Sequence, residues 1–109
     1  MESNSDYSMV ITTCADRDSA KRLAGLIIQA QLAACAQLFP IESIYLWNDE
    51  VCNEDETILF LKTKTALFDK LTSTIRENHS YEVPEIIRLP ITGGLPEYLS
   101  WIDDAVLNP

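Results

Sequence analysis

One histidine and three cysteines are the residues of this chain best suited to metal or nucleophilic chemistry: His79, Cys14, Cys35 and Cys52. His79 with Cys14 or Cys35 could hold a soft or borderline cation such as copper or zinc, because neutral imidazole and thiolate suit those ions. The spacing carries no metal motif, and Cys35 sits among small apolar residues, where a buried thiol is common. His79 also reads as the polar end of a helix, where an imidazole suits the dipole. Behind it follow Tyr81, Glu82, Pro84 and Glu85 in "NHSYEVPEI", which could line a cleft with Glu85 as an anchoring carboxylate. In the plainer reading Pro84 forces Val83 to be extended and starts a strand. Lys62 ends an apolar run and could pair with Glu85 or hold an anionic ligand.

Other chemistry is less well served. "TGGLP" before a helix could cradle an anion, but it lacks the lysine and hydroxyl of a phosphate loop. A nucleophilic enzyme would need Cys or Ser beside the only histidine with a third orienting group, and no such signature is present. The arginines 17, 22, 76 and 88 fall on helix faces or a late strand, so an acylphosphatase-like hydrolase lacks its anion cradle. The chain reads as a non-enzyme. Tyr45, Trp47 and Trp101 read as core or interface aromatics.

These residues must be positioned by a single domain, since 109 residues suit one core of ordinary size. Hydrophobic residues make up 47% and charged residues 23%, a globular balance. The formal charge of −9 would repel nucleic-acid phosphates and anionic membranes, while cations, basic partners and neutral ligands fit it. No apolar run approaches the roughly 18 residues of a membrane span. The start "MESNSDYS" has neither a basic stretch nor an apolar h-region, and an odd number of scattered cysteines argues against a disulfide framework. A reducing, cytoplasmic setting is expected.

Along the chain, residues 1–7 read as a flexible tail and residues 8–109 as the domain. "SMVITTC" is a strand, and Asp16 or Asp18 caps a helix carrying Ala20, Leu23, Ala24, Ile27 and Ile28 on its apolar face. Residues 34–47 read as a long strand bent or bulged at Pro40, with a turn at Asn48–Asp49. The strand returns through "EVCNEDETILFLKTK", its "TILFLK" part buried on both faces and Glu54 to Glu56 marking its solvated part or a bulge. A helix with Leu67, Phe68, Leu71 and Ile75, a strand in "VPEIIRLPI" and a helix opened by Pro96 complete the order. This is α+β, a ferredoxin-like β-α-β-β-α-β with a long central hairpin and a C-terminal helix. Strands of about a dozen residues exceed the usual length of about 5 to 6, and their overhanging edges call for another subunit.

Six segments carry a family resemblance: "TTCAD", "LAACAQ", "SIYLWNDEV", "LKTK", "HSYEVPEI" and "YLSWI", in that order. Together they resemble the CutA divalent-cation tolerance proteins over residues 8–107. The resemblance implies a homotrimer similar to the PII signalling trimers, with no defining catalytic activity. It also implies tolerance of divalent metals, copper among them, with no metal required for folding. Cys35 and His79 match the family's cysteine and histidine, and are the expected metal ligands. Lys62, Tyr81, Glu85 and Trp47 match its lysine, "YEVPE" and hairpin tryptophan, and are expected to line a ligand cleft between subunits. Ser80 replaces a proline, Ala15 a proline and Asp49 a glycine of the family pattern. Thr12 and Thr74 stand where some relatives have cysteine. The alternative implied by the same resemblance is a PII-like small-ligand sensor or scaffold without a physiological metal role.

Overall fold

The computed structural model describes residues 5–109. The elements are β1 (Tyr7–Cys14), α1 (Arg17–Gln29), β2 (Cys35–Trp47), β3 (Glu50–Lys64), a 3₁₀ turn (Thr65–Leu67), α2 (Phe68–Glu77), β4 (Ile86–Ile91) and α3 (Pro96–Ala105). One antiparallel sheet has the order β2-β3-β1-β4, the ferredoxin-like order with the long hairpin at one edge.

Local chemistry explains the ends. Asp16 is the cap of α1: its carboxylate accepts the Ser19 N–H at 2.8 Å, while the Ser19 hydroxyl faces the Asp16 N–H. The helix closes at Gln31, whose φ of 59° lets Leu32 N–H reach the Ile27 carbonyl and Gln31 N–H the Ile28 carbonyl. Asn48 and Asp49 take φ of 51° and 63°, as a tight hairpin turn matching the strand twist requires.

Three expectations change. The first concerns Pro40, where the register runs unbroken from Cys35↔Lys62 to Trp47↔Glu50, so neither Pro40 nor Glu54–Glu56 makes a bulge. β2 is an edge strand, where a missing donor costs no ladder bond. Second, "TILFLK" is not buried on both faces: Thr57, Leu59 and Leu61 are buried, whereas Ile58, Phe60 and Lys62 are only half-buried. The third change is at the tail. Residues 1–4 lie outside the described residues, but Ser5 to Tyr7 are tied down: Thr65 donates to the Ser5 and Asp6 carbonyls, and Tyr7 pairs with Lys64 and Ile91.

The two faces of the sheet differ sharply. Val10, Leu59 and Leu61 point to one side and pack with Leu23, Ile27, Leu71 and Ile75 of α1 and α2 as the core. Cross-strand partners share a face, so Met9, Ile11, Phe39, Ile58 and Phe60 point to the other side. There Phe39, Ile87 and Leu89 remain 45%, 49% and 42% exposed. α3 covers this open face at the end holding Lys62 and Lys64, and the loop between α2 and β4 reaches over it at Glu56.

α3 is fastened there by Asp103, which accepts from the Tyr7 hydroxyl at 2.6 Å and pairs with Lys64 Nζ at 3.4 Å. The Tyr7 hydrogen bond and then Lys64 hold the Asp103 carboxyl below its ordinary value. A depressed carboxyl stabilises the fold above its unfolded pKa of about 3.9, and that contribution disappears as pH falls through the folded value. Thermal melts should therefore place wild type above Asp103→Asn at pH 6, with the gap closing as pH falls below the ordinary carboxyl value of about 3.9. A constant gap would mean that Asp103 acts through shape alone.

Candidate functional site

A groove of about 660 Å³ opens at the hairpin end of the open face. Its floor comes from period-two alternation: Ser43, Tyr45 and Trp47 of β2 lie on the same face as Cys52, Glu54 and Glu56 of β3. Its far wall is the loop between α2 and β4, which contributes Tyr81, Glu82, Val83 and Glu85. No basic side chain lines it. The Tyr81 hydroxyl donates to Glu56 Oε2 at 2.9 Å, joining wall to floor. Burial first, then the Glu56 carboxylate, pushes the Tyr81 phenol above its ordinary value. Tyr45 is pushed up as well, by burial and by Glu54. Both phenols stay protonated as donors, and the groove presents carboxylates and aromatic rings to whatever enters it.

His79 holds that wall in place. Its Nδ1 accepts the Tyr81 N–H at 3.0 Å, so the proton sits on Nε2, which donates to the Thr13 carbonyl at 2.6 Å. The imidazole also packs on the Tyr81 ring, centroids 4.7 Å apart. Both nitrogens are thus engaged by the protein itself, and a metal could take either only by breaking a backbone contact.

Within one chain, Trp47, Tyr81 and Glu85 line the same groove, and Lys62 does not. Lys62 is six residues from Glu56 along β3, roughly 20 Å at strand rise. It turns instead to α3, with Nζ 3.4 Å from the Tyr98 hydroxyl and 5.4 Å from the ring centre. Cys35 pairs with Lys62 at that same end. His79 reaches the sheet at Thr13, opposite Ile58, so roughly 13 Å of strand separates it from Cys35 within one subunit. The expected Cys35–His79 ligand pair is therefore not assembled by one chain. Among the described residues, no three His, Cys, Asp or Glu side chains converge to hold a metal ion.

Cys14 lies beside His79, Ser80 and Arg22 in a smaller cleft of about 120 Å³. Burial first, then Asp16 and Glu56, pushes its thiol up to about 11, which leaves it a protonated, poor ligand. Residue-type reasoning placed Glu82 in the cleft but not Tyr45, Cys52, Glu54 or Glu56. The alternation through residues 52, 54 and 56, folded back at the Asn48–Asp49 turn onto Tyr45 and Trp47, was the signal for the floor residues.

Residues 8–105 match the family model described as CutA1 divalent ion tolerance protein. The chain is 43% identical over 101 residues to the chloroplastic protein CutA of Arabidopsis thaliana, covering 92% of this chain and 56% of that protein. It thus spans little more than half the length of the curated plant relatives it matches. Among solved structures, CutA1 from Oryza sativa superposes with a TM-score of 0.94 at 40% identity, covering 96% of this chain and 97% of that one. The periplasmic divalent cation tolerance protein CutA from Archaeoglobus fulgidus gives 0.91 at 32% identity, covering 93% and 99%. With its fold and this agreement along nearly the whole chain, the protein belongs to the CutA1 divalent ion tolerance family.

Proposed function

We propose that this chain is a non-enzymatic, homotrimeric binding protein of the cytoplasm, and that it serves divalent-cation tolerance by taking up cations in the groove between the hairpin and the 81–85 loop. The observation that carries this reading is the lining itself. Glu54, Glu56, Glu82 and Glu85 line one concave surface without three of them converging on a point, and no base stands among the lining residues. Carboxylates suit hard divalent ions, and the acidic chain as a whole draws cations toward the groove. The trimer is supported by the apolar open face, which a monomer would leave to water.

Copper fits this scheme as one divalent cation among several. With His79 satisfied by Thr13 and Tyr81, a soft site at Cys35 would need donors from a neighbouring subunit. Calorimetric titration of the purified protein with Mn²⁺ and Cu²⁺ tests the assignment. Glu54→Gln/Glu56→Gln should weaken Mn²⁺ binding at least tenfold, about 1.4 kcal/mol. Unchanged affinity in that variant, with loss in Cys35→Ser, would move the site to the other end of the sheet.

A second reading, the PII-like sensor of a small ligand, draws on the aromatic part of the same groove. Tyr45, Trp47 and Tyr81 give it an apolar surface that a bare ion does not need.

A further inference from the structure

We propose that the outer face of α1 docks an acidic segment of a partner protein, one aliphatic side chain of which enters the cleft beside Cys14. α1 packs on the core side of the sheet, so this face points away from the open face where subunits are expected to meet. Two depressions on it share Arg22 and Leu26. The more enclosed is the cleft of about 120 Å³, where Cys14, Leu23 and Leu26 supply an apolar lining. An engineered apolar cavity of about 150 Å³ takes a benzene ring, so this one suits a single leucine-sized side chain. The other is an open trough along α1 from Lys21 to Ala30. Leu26, which borders both, is 39% exposed.

Charge sets the occupant. The chain carries 17 acidic residues, yet none of them lines either depression. Lys21 and Arg22 stand there instead, and among the described residues the salt bridge is made elsewhere, by Lys64 and Asp103. Asp16, whose ionised form Arg22 favours, is already engaged by the Ser19 N–H at 2.8 Å. Two cations beside an apolar cleft complement carboxylates beside an aliphatic side chain, and such matching selects and orients a partner. Gly25, in the trough, is an independent sign. Glycine inside a helix costs stability relative to alanine. A Cβ at Gly25 would meet nothing within 4 Å, so no contact within the chain calls for its absence. The bare backbone leaves a floor on which another chain can lie close. Asn78 and Ser80 place an amide and a hydroxyl at the rim for that chain's backbone.

A random dodecapeptide phage library panned on the full chain tests this, with the selected peptide then synthesised and its affinity followed by fluorescence anisotropy. A consensus of Asp and Glu around one Leu, Ile or Met is expected. Lys21→Glu/Arg22→Glu should weaken that peptide at least tenfold. Gly25→Leu should do the same while the melting temperature holds or rises, because leucine favours the helix and finds open space there. Glu54→Gln/Glu56→Gln should leave the peptide's affinity unchanged, which separates this face from the cation groove. A basic consensus, no enriched sequence, or a peptide indifferent to Gly25→Leu would overturn the proposal. So would subunit assemblies that associate further without any peptide and separate on Gly25→Leu, since the face would then belong to a second copy of the chain.

Discussion

Phe60→Arg should convert the proposed trimer into single subunits, lowering the sedimentation mass from three times 12.3 kDa to 12.3 kDa. Phe60 stands near the middle of the open face, opposite Ile11 on one side and Gln37 on the other, with its ring 5.3 Å from that of Phe39. Its strand neighbours Leu59 and Leu61 point the other way and are fully buried, so the core should survive the substitution. Far-ultraviolet circular dichroism of the variant should therefore stay that of a folded chain. Burying a phenylalanine contributes about 1.5–3 kcal/mol, and an unpaired guanidinium in its place adds a desolvation cost. A three-fold assembly takes that penalty three times. Dissociation at micromolar concentration is the expected result, and an unchanged mass would show that the open face is not where subunits meet.

His79→Ala should destabilise the fold by about 2–3 kcal/mol, since it removes two hydrogen bonds and leaves the Thr13 carbonyl and the Tyr81 N–H without partners. The effect should be local before it is global. Amide exchange in residues 80–85 should quicken, because the imidazole is what joins that loop to β1. Groove affinity should fall as Tyr81 loses its fixed approach to Glu56. Cu²⁺ affinity at any site outside the groove should stay that of wild type. A variant that keeps its stability and loses copper alone would restore His79 as a ligand.

The chain's pattern shows the frame well and the site in part. Asp16 and the Asn48–Asp49 turn were readable because cap and turn chemistry are local. Pro40 makes no bulge, and the sequence could not exclude one, since whether a strand lies at an edge depends on the order of the whole sheet. Lys62 was placed beside Glu85 for want of a register, which sets it at the α3 end. His79 showed its type but not its partners: the Thr13 carbonyl lies 66 residues away. Glu54 and Glu56 looked like a solvated stretch of strand. Only the loop crossing above them makes that stretch a groove.

Mn²⁺ offers the most direct view of the groove, because a paramagnetic ion broadens the amide resonances near it even when it binds weakly. In ¹H–¹⁵N spectra of the deuterated protein, sub-stoichiometric Mn²⁺ should first erase signals from residues 52–56 and 81–85. Broadening centred on Cys35 and Lys62, or spread evenly over the acidic surface, would contradict the account.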